Sequence, residues 1–286
     1  MKEEFSLTFY GVRGSYPVPG PATRRYGGNT ASLLFEISGQ FVILDAGTGI
    51  IQAGRVLDGR LRPGQAIHIF LTHLHSDHIM GLPFFAPMFN PQAEIVIHYP
   101  ELPGANTQQA LEALFLPPYS PITLQGIKAR LRYRPLPPAA GPAAVPLEDG
   151  IEVAHLRHDS HPRLGVLIYR VGRGKHRVVY ATDVESPDGF DEGLSAFMAG
   201  ADLLVHDSQY FEGDYFGSDH PRAGFGHSTV GMAARNAEKC GVKRLFLFHY
   251  DPRYSDSMLE EMLAQAREKF PGTFLAQEGK KIKIRR

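Results

Sequence analysis

Ile69-Phe70-Leu71-Thr72-His73-Leu74-His75-Ser76-Asp77-His78 places an apolar run directly before four metal-ligating side chains that fall within six positions. The pattern predicts a buried strand that ends in a tight loop, with polar groups converging at its carboxyl end. His73 and His75 are two apart, so on an extended backbone they project to the same side. Asp77 and His78 follow once the chain has begun to turn, which lets them face a second point nearby. One ion would need one cluster; this spacing suits two ions side by side. The rest of the chain should then supply the missing ligands.

At 286 residues the chain has ample length for a substantial core, and it reads as a single domain over residues 1–286. Lys plus Arg and Asp plus Glu both number 30, so no global field draws the protein onto nucleic acid or a membrane surface. Cys240 is the one cysteine, which excludes an internal disulfide framework and argues for a reducing compartment. The start, Met1-Lys2-Glu3-Glu4-Phe5, has no hydrophobic signal core, and no later run is long enough to span a bilayer. A cytoplasmic protein without a membrane partner is the expectation.

The pattern predicts an α/β protein with two strand-rich halves and helices outside. Strands are expected over 5–10, 32–37, 41–44, 66–72 and 94–99 in the first half, and over 151–156, 166–171, 178–182, 203–205 and 244–248 in the second. Helices are expected near 106–116, 193–199, 229–239 and 258–269. Asp45-Ala46-Gly47-Thr48-Gly49 looks like a phosphate-cradling loop but lacks the lysine and full spacing of one. It reads better as a turn whose Asp45 carboxylate supports neighbouring loops. The proline-dense stretch 116–147 reads as an elaborated loop, and Lys280–Arg286 as an edge strand. His68 and His98 read as packed histidines, and Phe84, Phe85, Met88 and Phe89 as core.

An Asp or His immediately after an apolar strand has been delivered to the sheet's carboxyl edge. His158, Asp183, His206, Asp207 and His249 pass this filter. Two adjacent divalent ions need about six protein ligands plus a shared carboxylate and a bridging water. The count closes if His73, His75 and His158 hold one ion, Asp77, His78 and His249 hold the other, and Asp183 bridges. A shell of His and Asp without cysteine suits Zn²⁺ and admits Mn²⁺ or Fe²⁺.

These residues resemble the metallo-β-lactamase-fold hydrolases, and within them the ribonuclease Z and phosphodiesterase branch. His73 to His78 matches that superfamily's His-x-His-x-Asp-His signature. The likeness runs from Gly11-Val12-Arg13-Gly14-Ser15 and Tyr26-Gly27-Gly28-Asn29-Thr30 to His249-Tyr250-Asp251-Pro252-Arg253-Tyr254. It implies a four-layer αβ/βα sandwich of two facing mixed sheets, a metal-dependent hydrolase, the ligand roles given above, and a homodimer. Gly226-His227-Ser228-Thr229 resembles a segment of ribonuclease Z-like enzymes. That likeness implies a catalytic His227, acting as general acid or phosphate clamp, with Asp207 as its acidic partner and Asp77 serving both ligation and catalysis. The expected activity is cleavage of a small or cyclic nucleotide-type phosphodiester. RNA processing, or thioester or lactone hydrolysis on the same fold, are the alternatives. For the third ligand motif, His158 is preferred over His155 and His161 because its distance to Gly165 matches the family spacing; His161 is the fallback.

Overall fold

The computed structural model describes residues 4–62, 64–102, 104–118, 120–139, 141–162, 165–217 and 220–285. Six strands of the first half are β1 (Phe5–Gly11), β2 (Ser32–Ile37), β3 (Gln40–Leu44), β4 (Ala66–Phe70), β5 (Glu94–Pro100) and β6 (Arg130–Leu136). Seven follow: β7 (Ala143–Pro146), β8 (Ile151–His158), β9 (Val166–Arg173), β10 (His176–Ala181), β11 (Leu203–Asp207), β12 (Leu245–Phe248) and β13 (Thr273–Leu275). The last strand, β14 (Lys281–Lys283), returns to the first sheet.

Each sheet has seven strands, ordered β14-β1-β2-β3-β4-β5-β6 and β13-β12-β11-β10-β9-β8-β7. Both are mixed in the same way: β3 to β6 are parallel and β14 to β3 antiparallel, while β10 to β13 are parallel and β7 to β10 antiparallel. The period-2 alternation decides which face packs where. Leu33, Phe35 and Ile37 of β2 join Val178, Tyr180, Phe246 and Phe248 of the other sheet in one core. Leu34, Ile43, Ile67 and Ile69 turn the opposite way, onto Ile50 and Leu57 of α1 (Gly49–Asp58). The second sheet is covered by α2 (Glu192–Met198), α3 (Val230–Lys239) and α4 (Asp256–Lys269), which share its core through Leu194, Ala233, Ala237 and Leu259. The expected sandwich of facing mixed sheets is therefore what forms.

The stretch 116–147 departs from the expected loop. It contains β6 and β7, the outermost strands of the two sheets on one side. Proline hid them: Pro135 and Pro146 remove ladder donors, which an edge strand tolerates and a central strand does not. The C-terminal edge strand is present as β14, with Arg286 outside the described residues. Phe85 and Met88 are buried as expected, whereas Phe84 and Phe89 are exposed. Among the described residues, no helix is long and apolar enough to cross a membrane.

Arg13 is fully buried and bonds only carbonyls in the contacts that position it. Its Nε donates to Gly27 O (2.9 Å), and its Nη1 donates to Asp251 O (3.2 Å) and Tyr254 O (2.7 Å). It thus ties the loop after β1 to the segment after β12. Arg13→Ala would strand three buried acceptors, at a cost of about 3–5 kcal/mol. The expected result is a fall in thermal midpoint on the order of 10 °C, with little recovery in Arg13→Lys, whose ammonium lacks the planar fork.

Candidate metal centre

Strands β3, β4, β8, β10, β11 and β12 all end at one edge of the sandwich. Asp45, Asp183 and His249 each stand at or just past a strand end with positive φ, at 59°, 53° and 62°. This left-handed backbone costs a non-glycine residue about 1–2 kcal/mol. It also swings three polar side chains off their strands into the gap between the sheets. Gly14 makes room for one of them: a Cβ there would lie 2.5 Å from the His249 ring.

Two sets of donor atoms converge on the Asp183 carboxylate. His73, His75, His161 and Asp183 form one group, and Asp77, His78 and His249 another, each with ligand atoms within 4.8 Å of one another. Asp183 Oδ2 lies 3.6 Å from His73 Nε2 and 3.8 Å from His161 Nε2. Its Oδ1 lies 3.2 Å from both His78 Nε2 and His249 Nε2. Asp77 Oδ2 adds a second oxygen, 3.4 Å from His78 Nε2 and 3.3 Å from His249 Nε2, and accepts the Ser15 backbone N–H at 2.7 Å. His161 Nε2 and His75 Nδ1 are 3.0 Å apart.

The hydrogen bonds behind these rings orient their lone pairs inward. Asp45 Oδ2 lies 2.8 Å from His78 Nδ1 and accepts its proton, so Nε2 is the nitrogen turned to Asp77 and Asp183. These carboxylates raise His78 well above the usual range against the effect of burial, and a bound cation would take the place of its Nε2 proton. Thr72 donates its hydroxyl proton to Asp45 at 3.0 Å, which leaves Thr72 Oγ to accept from His73 Nδ1 at 3.1 Å. His161 Nδ1 donates to Gly226 O at 3.2 Å. His73 Nε2 is left buried without a hydrogen-bond partner. Burial pushes His73 well down and also lowers His75 and His161, so these rings stay neutral, the ligating form. Burial opposes ionisation of Asp77 and Asp183, yet the neighbouring histidine charges hold both carboxyls well below the usual range. Inward lone pairs flanked by ionised carboxylates are the chemistry of a divalent cation site, and the donors fit one.

His158, preferred as third-motif residue, lies outside both donor groups, and His161 lies inside one. β8 runs through to His158, which pairs with Val166 of β9, two residues beyond the expected strand end. As a ladder residue His158 bonds Ser160 Oγ (2.7 Å) and sits 6.1 Å from the Phe190 ring, outside both donor groups. His161, past the end of the ladder, is the one the turn carries inward. His155 is buried between the sheets, with its ring 6.3 Å from that of Tyr169. His206, the other strand-end histidine, faces away and bonds Asn236 Nδ2 at 3.0 Å.

His227 stands beside the second donor group. Its Nδ1 lies 2.8 Å from Asp207 Oδ2, and its ring stacks on His249 with centroids 5.1 Å apart. Burial pulls its pKa down, but the charge and hydrogen bond of Asp207 outweigh this and raise it to about 9. Asp207 is itself fully buried and accepts the backbone N–H groups of Asp183 (3.0 Å), Gln209 (3.1 Å) and Ser228 (3.0 Å). It therefore works behind His227 and Asp183. Sequence reading missed Tyr180, whose hydroxyl donates to Asp45 at 2.8 Å, and Glu185, which accepts from Tyr215 OH (2.5 Å), Gly224 N–H (2.6 Å) and Gly226 N–H (2.8 Å). Neither carries a local signal, because each acts on a segment distant in sequence.

Residues 40–250 match the Beta-lactamase superfamily domain. The chain belongs to that superfamily. It is a metal-dependent hydrolase of the metallo-β-lactamase fold, and its His/Asp cluster is a divalent metal centre. The ribonuclease Z of Haloarcula marismortui is 28% identical, over 97% of this chain and 96% of the relative. Human tRNase Z, short form, superposes with a TM-score of 0.69 at 21% identity, covering 98% of this chain and 100% of that one. A diphosphatase of the PhnP family gives 0.68 at 22% identity, covering 98% of both chains. At these identities the two structures speak for the fold alone.

Proposed function

We propose that this superfamily member is a dinuclear phosphodiesterase acting on a small or cyclic nucleotide-type phosphodiester. The observation that carries the reading is the Asp207–His227 pair beside the two donor groups. A hydrolase of thioesters or lactones has no need of a protonated imidazole held by a buried carboxylate at that point. His73, His75, His161 and Asp183 would hold one ion, and Asp77, His78, His249 and Asp183 the other, with Zn²⁺ favoured by the all-His/Asp donor set. Bound divalent ions supply Lewis acidity toward phosphate oxygens and a water of lowered pKa.

The chain's own groups do the rest. Asp45 fixes the tautomers of His78 directly and of His73 through Thr72. Asp207 keeps His227 oriented and charged, so that its proton is available to the departing oxygen. Ribonuclease Z-like RNA cleavage is the second reading, supported by a relative of that name matched over almost its whole length.

Metal analysis combined with turnover of bis(p-nitrophenyl) phosphate, a thioester and a precursor tRNA separates these readings. Phosphodiester turnover is expected, and brisk thioester cleavage without it would sink the proposal. Cleavage of the precursor tRNA at its 3′ side in preference to small diesters would select the second reading. Within either, His161→Ala should cost at least about 100-fold in metal affinity, the upper end of what even an outer partner costs. His158→Ala should leave metal content unchanged in the same measurement.

A further inference from the structure

The loops that build the metal centre also present large aromatic side chains to solvent. Tyr16, Phe216 and Phe225 are 53%, 67% and 50% exposed. Tyr16 follows Ser15, whose N–H is held by Asp77 and whose hydroxyl accepts from Gln209 Nε2 at 3.1 Å. Phe225 precedes Gly226, whose carbonyl accepts from His161 and whose N–H is held by Glu185. Phe216 packs edge-on against Tyr215 with centroids 4.7 Å apart, and Tyr215 OH donates to that same Glu185. One aromatic side chain thus adjoins each half of the centre, on backbone bonded to a ligand. The Arg222 guanidinium covers Phe225 at 5.6 Å from the ring centroid, and Arg222 N–H donates to Tyr215 O at 3.0 Å.

Single exposed aromatics are ordinary on a protein surface. Rings fixed by hydrogen-bonded backbone at the rim of a phosphoryl-transfer centre, one of them lying against an arginine, are a platform for a flat π system. We infer that Phe225, with Arg222 at its ring, stacks the nucleobase of a nucleotidyl substrate whose phosphate lies at the metal centre. This rests on the phosphodiesterase reading and adds a base requirement to it. Free sugar phosphates and alkyl phosphodiesters would then be poorer ligands than nucleotides.

Calorimetric titration of the metal-loaded protein with adenosine 5′-monophosphate and with ribose 5-phosphate tests it without turnover. The base should tighten binding by about 10-fold, and Phe225→Ala should abolish that preference at unchanged metal content. Phe225→Trp, which keeps a stacking face, should retain it. Equal affinity of the two ligands for the unaltered protein, or a preference that survives Phe225→Ala, would overturn the inference. A nucleotide preference in a protein that hydrolyses no phosphodiester would instead count against the proposed activity and leave the base site standing.

Discussion

Asp183→Asn is expected to reduce bound metal below one ion per chain and to cut phosphodiesterase turnover by about 10³-fold or more. Both Asp183 oxygens are committed, Oδ1 toward His78 and His249, and Oδ2 toward His73 and His161. In the proposed dinuclear centre, one lost charge would therefore weaken both cation positions at once. Charge stabilisation by bound metal is worth several kcal/mol, and each 1.36 kcal/mol is about tenfold in rate. Asparagine is the informative replacement because it tolerates the left-handed backbone at φ 53°, which alanine would strain. The backbone N–H that Asp207 accepts is untouched by the exchange. Metal stoichiometry and thermal unfolding should therefore separate: the first collapses while the apo fold survives. Full metal content in Asp183→Asn would remove the bridging role.

His227→Ala is expected to do the converse, keeping metal and losing chemistry. Proton donation to a leaving oxygen is worth about 10²–10⁴ in rate. The size of the loss should depend on the leaving group. A nucleoside alkoxide needs the proton, whereas p-nitrophenolate departs without much help. The defect should therefore be large for an unactivated nucleotide diester and small for bis(p-nitrophenyl) phosphate. An equal defect on both would point to His227 as a phosphate clamp, since a clamp acts on either substrate alike. Asp207→Asn should also lose activity, because it removes the charge that raises His227 and sets an amide NH2 against backbone or imidazole N–H donors whichever way it turns.

The centre was unevenly legible from the sequence. His73 to His78 stood out because four donors fall close together after an apolar strand. Asp183 and His249 stood out for a related reason, each ending an apolar run at the sheet edge. Asp45 was legible as a supporting carboxylate, though not as the group that fixes two histidine tautomers. That role needs Thr72 and His78 to arrive from another strand. His161 ranked behind His158 because three histidines at equal spacing look alike until the β8–β9 ladder sets where the strand stops. β6 and β7 were missed because proline masks edge strands, whose unpaired sides make no use of the missing N–H.

What the sequence determined by itself was the strand content, the donor inventory and the family likeness, since these follow from local apolar runs and the residues that end them. Only the tertiary structure decided which donors meet. Convergence of β4, β8, β10 and β12 at one edge depends on pairings between residues far apart in the chain, and on three left-handed turns that aim Asp45, Asp183 and His249 inward. No local window carries the register between two sheets. The stretch from His73 to His78 could thus announce a metal centre, while the identity of its third histidine waited on a strand end set by its partner strand.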